Sequence, residues 1–504
     1  MGGAGLYSAF HVIRSQVRGV AAARRLYIMK IIILGAGQVG ASVAEALASE
    51  SNEITVVDQS SQCLGQLADR LDVRTVTGNA ALPSVLRDAG IEDTEMLVAV
   101  TQSDQTNLVA CKIARGMFNV PTRIARLRGA DFLGDEGLLG DDMFAVSHAI
   151  CPEQEVTDYI ARLIAFPEAL QVLEFANGSV TLVCVRAYEG GLLVGKPIST
   201  MKEHLGTLVE ARIAAIFRDL QPLDPTGDTI IEAGDEVFLL AATRFIRPVL
   251  RELRRMQEPV RRVMIAGGGN IGARVAQTLE REHEVKVIER DPKRAETIAV
   301  RLAGSLVLCA EATDEKLLAQ ENIDEMDIFL ALTNDDENNI MAASLAKRLG
   351  CKRVLALINR RAYADMVQDG PIDIGLSPAQ ISIGSLLAYV RRGDVERVHS
   401  LRRGAAEALE IVVHGDRATS KVVGRRIEEL PEIKGARIAA IVRQGKETRV
   451  VQREGFLVDE LFDEVIIPHH DTVIEAGDHV VVFCTRKRLV AQVEKLFQVS
   501  AGFF

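Results

Sequence analysis

The sequence predicts an α/β protein with two Rossmann-like, doubly wound parallel sheets, each followed by a small α+β domain. Three observations support this prediction: a glycine-rich turn follows an apolar strand twice, short Val/Ile runs alternate with helical stretches, and a strand-rich module follows each such region. At 504 residues the chain is also too long for one core, because a domain usually holds about 100–200 residues.

The glycine-rich turn is a GxGxxG motif in both copies. Lys30–Leu34 runs into Gly35-Ala36-Gly37-Gln38-Val39-Gly40, and Val263–Ala266 runs into Gly267-Gly268-Gly269-Asn270-Ile271-Gly272. The motifs lie 232 residues apart, and so do the strings Thr101–Asn107 and Thr333–Asn339. A lone GxGxxG is weak evidence, but a strand before it and a helix after it are typical of dinucleotide-binding units. In such units the helix N-terminus binds a pyrophosphate.

Alternating strands and helices fill the first unit. The predicted strands are 30–34, 54–58, 74–77, 96–100 and 123–126. The predicted helices fall near 38–49, 60–71, 82–88 and 103–118. This alternation is the pattern of βαβ units on a parallel sheet.

The second module is also duplicated. Ala211–Ile216 recurs as Ala436–Ile441, and Ile231–Asp235 recurs as Ile474–Asp478, with about 18 extra residues in the later copy near 444–473. Its first copy has predicted strands at Val180–Val185, Ile213–Arg218 and Glu236–Leu240, with few long helices. The resulting domain prediction is a basic extension 1–28, dinucleotide-binding domains 29–152 and 262–385, small α+β domains 153–253 and 386–500, and a link at 254–262.

Composition narrows the classes of partner. The chain has 59 basic and 69 acidic residues, few aromatic residues and no Trp, so nucleic acid is not expected as a partner. The seven scattered cysteines predict reduced core thiols and a cytosolic protein. No apolar stretch reaches the roughly 18–20 residues of a membrane-spanning helix, so we expect the chain not to cross a bilayer. Residues 1–28 carry four arginines and no acid, which fits a disordered or weakly helical extension or a membrane-surface helix.

Polar residues at the ends of the predicted strands complete the candidate sites. Asp58 and Glu289 end the second strands, where a carboxylate accepts hydrogen bonds from a ribose and favours NAD over NADP, although Arg290 complicates the second site. Thr101 and Thr333 end the fourth strands, where facing a ligand and capping the next helix are compatible roles. Arg126 ends the fifth strand and either reaches a phosphate or forms a surface salt bridge.

Residues for catalysis or metal binding are not apparent in the sequence. A dehydrogenase needs an acid or base near the nicotinamide, and we find neither a Tyr-x-x-x-Lys nor a Ser/His/Asp arrangement. His469-His470-Asp471 is the best metal candidate, but neighbours on a strand point to opposite faces. We therefore expect a protein that is not an enzyme and that has no metal site.

These residues resemble the TrkA family of potassium uptake proteins, which carry two regulator-of-potassium-conductance units. The resemblance runs from about Met29 to the C-terminus. Its most specific stretches are Lys30 to Gly40, Asp58, Leu97 to Asn107, Arg123 to Arg126, Val263 to Gly272, Leu332 to Asn339 and Tyr389 to Asp394.

The resemblance implies a regulatory protein on the cytosolic face of the membrane. It would bind NAD or NADH, with ATP or ADP as further ligands, and form a homo-oligomer, a dimer or a tetramer. By changing conformation with its ligand it would gate a membrane potassium-translocating subunit of the Trk type. The implied ligand residues are Gly35 to Val39, Asp58, Thr101, Gln102 and Arg126, with Gly267 to Ile271 and Glu289 in the second copy.

Two departures from the family pattern concern the second copy. Where the family tends to have a Gly-Asp pair after the third strand, this chain has Ala310-Glu311, and its first copy has Gly78-Asn79. The position 232 residues after Arg126 is Ile358, so the second site would lack the arginine. Two other functions stay open: an NAD-dependent oxidoreductase, and a regulator of potassium efflux or cation antiport.

Overall fold

In a computed structural model, the contacts divide the chain into two compact units, one ending at Ile150 and one beginning at Cys151. The structure describes residues 29–48, 52–133, 136–206, 209–219, 221–256, 258–360, 363, 367, 370–390, 395–401, 406–453 and 456–499. The expected extension 1–28 and residues 391–394 of the family-like string lie outside the described residues.

The first unit is a parallel six-stranded sheet with the strand order β3-β2-β1-β4-β5-β6. Its strands are β1 (Lys30–Leu34), β2 (Glu53–Asp58), β3 (Arg74–Thr77), β4 (Met96–Ala99), β5 (Thr122–Arg126) and β6 (His148–Ile150). Its helices are α1 (Gln38–Ala48), α2 (Ser61–Ala68), α3 (Pro83–Asp88), α4 (Asp104–Phe118), α5 (Ala130–Leu133) and α6 (Glu136–Leu139). Strand order reverses between β1 and β4, and ligands of open α/β sheets bind outside the carboxyl ends at such a reversal.

The second unit begins with helix α7 and a five-stranded antiparallel sheet. Its strands, in the order β10-β9-β11-β8-β7, are β7 (Gln171–Phe175), β8 (Val180–Arg186), β9 (Ala211–Arg218), β10 (Gln221–Leu223) and β11 (Glu236–Ala242). Its helices are α7 (Pro152–Ala165), α8 (Met201–Leu205) and α9 (Ile246–Leu250). We call this the first small sheet.

A second parallel sheet of six strands follows, in the order β14-β13-β12-β15-β16-β17. Its strands are β12 (Arg262–Ala266), β13 (Glu284–Glu289), β14 (Leu306–Cys309), β15 (Ile328–Ala331), β16 (Arg353–Leu357) and β17 (Ile374–Leu376). Its helices are α10 (Asn270–Leu279), α11 (Pro292–Arg301), α12 (Glu315–Gln320) and α13 (Asp336–Arg348). Strand order and register repeat those of the first unit, which confirms the duplication.

The second small sheet ends the chain. Helix α14 (Pro378–Val390) leads to strands β18 (Val395–Leu401), β19 (Ala406–Val412), β20 (Ala436–Arg453), β21 (Phe456–Ile466) and β22 (His479–Cys484), followed by helix α15 (Val490–Phe497). The sheet order is β18-β19-β22-β20-β21. The extra residues of this copy lie mainly in the long β20–β21 hairpin, as predicted. The predicted fold class is confirmed.

The two small sheets and the second parallel sheet share one apolar core. Helix α7 packs on α10 and on α14, so the first small domain is tied directly to the second dinucleotide-type domain. Helix α14 crosses the predicted boundary at 385/386, and the domain division stays a prediction. Among the described residues, no helix combines the length and the apolar character needed to span a membrane.

Two smaller expectations need correction. All seven cysteines are free, but Cys63 and Cys309 are exposed, so the thiols are not all in the core. Strands β6 and β17 were not predicted, because three residues are too few to show a two-residue alternation.

Candidate functional site

The first glycine-rich loop joins β1 to α1 in a turn that only glycine fits at two positions. Gly35 has a φ of +107°, and a Cβ there would lie 3.1 Å from the Val100 carbonyl oxygen. A Cβ on Gly40 would lie 1.8 Å from the carbonyl oxygen of Gly35, so the helix packs directly on the loop. Gly267 (φ +103°) and Gly272 (1.9 Å) repeat this geometry in the second copy.

The middle glycine of each loop faces open space. A Cβ built on Gly37 or on Gly269 would meet nothing within 4 Å. Helix α1 starts immediately after, since Ala41 N–H donates to the Gly37 carbonyl at 2.8 Å, and Ala273 does the same to Gly269 at 2.9 Å. The first backbone N–H groups of a helix have no partner within it. The loop therefore offers amide donors and a positive helix end beside room for an anion.

Asp58 holds the first loop in place. Its Oδ2 accepts a hydrogen bond from Ala36 N–H at 2.7 Å, and its Oδ1 accepts from Ser60 N–H at 2.8 Å. The side chain is only partly buried at the carboxyl end of β2. An ionised carboxylate has about four acceptor sites, so two further hydrogen bonds fit on it. The loop-holding contact was not predicted from the sequence.

Glu289 plays the same part in the second loop from a buried position. Its Oε2 accepts from Gly268 N–H at 2.9 Å and its Oε1 from Asp291 N–H at 2.9 Å, while the residue is 4% exposed. Arg294 Nη1 lies 3.7 Å from Oε2. Register confirms that Glu289 replaces Asp58, because Asp58 pairs with Thr77 as Glu289 pairs with Cys309.

Thr101 and Thr333 each form a hydrogen bond with an asparagine side chain, and neither caps a helix. Thr101 Oγ1 lies 2.7 Å from Asn107 Oδ1, and the Asn107 amide donates to the carbonyl of Arg126 at 2.8 Å. Thr333 and Asn339 repeat the contact at 2.7 Å. The interpretation of the threonines as N-caps was wrong, because Ser103 and Asp335 cap these helices. The asparagine recurs in the repeated string, but its recurrence does not identify the groups that it contacts.

Arg126 ends β5 at the same edge of the sheet, where the half-buried Thr101 and the exposed Gln102 follow the end of the adjoining strand β4. Its counterpart is Leu357, not Ile358, because Asn339 donates to the Leu357 carbonyl at 2.8 Å as Asn107 does to that of Arg126. One residue fewer separates β15 from β16 than separates β4 from β5. Leu357 is 3% exposed, so the second site has a buried apolar side chain here.

The structure also places the residues after the third strands and the histidine pair His469-His470. Gly78 and Ala310 are equivalent, since each donates its N–H to the carbonyl of the loop-holding acid, Asp58 or Glu289. A Cβ on Gly78 would lie 2.7 Å from Val85 Cγ2, so a larger residue there would have to displace the Val85 side chain. His469 and His470 lie at a turn and not on a strand, which corrects the reason given against a metal site there.

Comparison with known proteins assigns the fold and its loops to a class. The TrkA-N domain model matches residues 31–142 and 263–378, and the TrkA-C domain model matches 182–247. The chain is therefore a protein with duplicated TrkA-N domains.

Full-length relatives identify the family. The Trk system potassium uptake protein TrkA of Halomonas elongata is 52% identical over 94% of this chain and 100% of its own length, and that of Vibrio alginolyticus is 51% identical over the same shares. The structure of the GsuK channel bound to NAD has a TM-score of 0.56 and 17% identity, covering 98% of this chain and 85% of that one. The chain belongs to the family of the Trk system potassium uptake protein TrkA.

Proposed function

We propose that this chain is a nucleotide-sensing regulatory subunit of a potassium uptake system, and that it binds NAD or NADH at the first glycine-rich loop. The observation that carries the proposal is the first loop itself, where Gly37 faces open space, the N-terminus of α1 begins beside it and Asp58 holds the turn. Potassium uptake is the process for which the Halomonas elongata and Vibrio alginolyticus relatives are named.

Each residue of the first site has a proposed role. Backbone N–H groups of Gln38, Val39 and Gly40 would receive the pyrophosphate. Asp58 would accept hydrogen bonds from the ribose hydroxyls at the carboxylate acceptor sites that the loop does not use. Its negative charge would disfavour a 2′-phosphate. Thr101, Gln102 and Arg126 would border the ligand at the ends of β4 and β5.

The second site would bind a nucleotide with different selectivity. Glu289 is more deeply buried than Asp58, and the charged Arg290 and Arg294 adjoin it. Leu357 provides no charge where Arg126 stands in the first site. We propose that this loop accepts an adenine nucleotide such as ATP or ADP as well as NAD(H), because fewer groups are placed to select the second half of a dinucleotide.

A physical path connects the second loop to the small domains. Helix α10 starts at the loop, and its Arg274 donates to the Gln154 side chain of α7 at 3.0 Å. The next residue of α7, Glu155, accepts from Ser385 of α14 at 2.7 Å. A ligand that moves the start of α10 would therefore shift both connecting helices. Such a shift follows only from a difference in ligand affinity between two conformations.

The proposed partner is a membrane potassium-translocating subunit of the Trk type. We propose that the chain acts as a homo-oligomer, a dimer or a tetramer, on the inner face of the cell membrane, and that it catalyses no reaction. The alternative of an NAD-dependent oxidoreductase makes a different prediction, namely net consumption of NADH. A regulator of efflux or antiport would instead alter potassium loss.

The test is potassium flux through the membrane subunit reconstituted in vesicles with this protein. We expect flux to change when NAD, NADH, ATP or ADP is added, while NADH absorbance stays constant. Flux that is indifferent to all four nucleotides would overturn the proposal. Sustained NADH oxidation with a small carbonyl substrate would favour the oxidoreductase instead.

A further inference from the structure

Three potential metal ligands from three strands converge in the second small sheet. They are Glu396 on β18, Glu410 on β19 and His479 on β22, and their ligand atoms all lie within 4.8 Å of one another. His479 Nδ1 lies 2.7 Å from Glu410 Oε1 and 3.3 Å from Glu396 Oε2. The set combines an imidazole nitrogen with two carboxylates, which is a donor set that zinc and its neighbours accept.

The cluster is held rigidly on its inner side and is open on its outer side. Glu410 is 1% exposed and His479 is 6% exposed, so strand packing fixes both. Glu396 is exposed, and it lies where the register of β18 against β19 shifts between Val395 and Arg397. A β-bulge of this kind redirects a side chain. Glu396 is therefore the potential ligand on the solvent side of the cluster.

Contacts behind the ligands orient them. Glu410 Oε2 accepts from Ala176 N–H at 2.9 Å, which leaves Oε1 toward the histidine. His479 Nε2 lies 3.0 Å from the side-chain amide of Gln444. An amide can present its oxygen or its nitrogen in the same space, so Gln444 can accept from Nε2–H and thereby leave Nδ1 as a ligand. Of nearby cations, Arg397 Nε stands 3.9 Å from Glu410 Oε2.

We propose that Glu396, Glu410 and His479 bind one divalent transition-metal ion of the zinc class, with water completing the coordination. The ion would hold the Glu410 carboxylate between the two small sheets, because Ala176 directly follows β7 of the first small sheet. Bound metal would thus strengthen the contact between the small domains. This site is separate from both glycine-rich loops.

The duplicate sheet gives an internal comparison. Strand register places Glu236 where the second sheet has His479, and Cys184 where it has Glu410. Gln171 pairs with Cys184 as Arg397 pairs with Glu410, so Gln171 is the counterpart of Arg397. The residue before each, Leu170 in the first copy and Glu396 in the second, is therefore equivalent too. The first copy therefore has no imidazole at this place, and we assign the site to the second copy alone.

The test is a titration of the full-length, chelator-treated protein with Co²⁺, followed by displacement with Zn²⁺. We expect visible ligand-field absorption that saturates at one Co²⁺ per chain and disappears when Zn²⁺ is added. Glu396→Gln and His479→Gln should each weaken binding by about tenfold or more, since even partners behind a ligand are worth about 10–100-fold in affinity. Zinc should also raise the unfolding temperature of the wild type more than that of these variants.

His470→Gln is the matched control, because His470 is exposed and close in sequence but outside the cluster. It should bind Co²⁺ as the wild type does. Glu396→Gln changes an exposed side chain and should leave the unfolding temperature of the metal-free protein unchanged. The absence of stoichiometric binding would overturn the proposal, and so would equal affinity in Glu396→Gln and wild type.

Discussion

The two dinucleotide-type domains share their loop but differ in what surrounds it. Gly35 and Gly267 have nearly the same φ, +107° and +103°. In both loops, a Cβ built on the final glycine would lie less than 2 Å from the carbonyl oxygen of the first glycine. The loop-holding acid is a half-buried aspartate in one domain and a buried glutamate in the other. The fifth strand ends in Arg126 in one and in Leu357 in the other.

This difference separates what the fold requires from what a ligand requires. Positive φ and backbone contact permit only glycine, so the loop is retained in both copies. The residues around it meet no such constraint, and they are the ones that would contact a ribose, a phosphate or a base. We infer that both loops can bind a phosphate group and that the two sites differ in which nucleotide they favour.

The largest expected effect is loss of a site by filling its open space. Gly37→Val should block the first loop and Gly269→Val the second, because each new side chain would occupy the space that faces the helix N-terminus. We expect nucleotide affinity at the changed site to fall by about 100-fold, near the upper end of a 1–3 kcal/mol overpacking penalty. Calorimetry of each single variant and of the double variant would measure this.

Gly116→Val is the matched control for this pair. Gly116 lies in α4 and also has nothing within 4 Å of a built Cβ, so the substitution adds the same side chain without touching a loop. It should leave both affinities unchanged. If Gly37→Val and Gly269→Val bind nucleotides like the wild type, the loops are not the binding sites.

The next effect concerns the two acids. Asp58→Ala removes the proposed ribose acceptor and should weaken NADH binding by about 1–3 kcal/mol, the value of a hydrogen bond to a charged group. Asp58→Asn keeps an acceptor for the Ala36 N–H and should lose less. Glu289→Ala should lower the unfolding temperature more than Asp58→Ala, because it leaves the Gly268 N–H unpaired in a buried place. Equal NADH affinity in Asp58→Ala and wild type would remove Asp58 from the site.

A smaller effect is expected from Arg126. Arg126→Leu gives the first site the residue of the second, and we expect a loss of about 1.5 kcal/mol, near the lower end for a charged hydrogen bond. Affinity for a nucleotide should fall while the unfolding temperature stays close to that of the wild type, since Arg126 is only partly buried at a strand end. Arg126→Lys should recover part of the loss. If Arg126→Leu leaves the preference between NADH and ATP unchanged, this arginine does not distinguish the sites.

The sequence predicted the parallel sheets and their loops because the signals are local. Each signal lies within or directly beside the element that it predicts: the apolar run Lys30–Leu34 is β1, the glycines follow it, and Asp58 ends the neighbouring β2. Contacts at a distance were harder to predict. Nothing in the string around Asn107 says that its amide reaches the strand-end carbonyl of Arg126, and a fixed offset missed the one-residue difference that makes Leu357 the counterpart.

The cluster in the second small sheet shows the same limit. Glu396, Glu410 and His479 come from three strands, and their spacing along the chain matches no metal motif. Only the register of β18, β19 and β22 brings them together. The packing of α7 on α10 could not be predicted from the sequence either, because each segment has only the pattern of an ordinary amphipathic helix.

The smallest expected effect is a pH dependence at the edge strand β6 of the first parallel sheet. His148 on the edge strand β6 corresponds to Ile374 on β17, since Ile124 pairs with His148 as Leu355 pairs with Ile374. Burial, and next the charge of Arg123, lowers the pKa of His148. The unfolded chain therefore binds more protons than the folded chain as pH falls below about 6.5, so stability is lost in that direction. The loss should stay below about 1 kcal/mol, because the half-buried ring is partly screened by solvent.

His148→Ile, which copies the second sheet, should make hydrogen exchange of β6 less sensitive to a change from about pH 7.5 to pH 5.5. Exchange of β17 in the same samples is the internal control and should not change with the substitution. An unaltered pH response of β6 in His148→Ile would show that another group controls it.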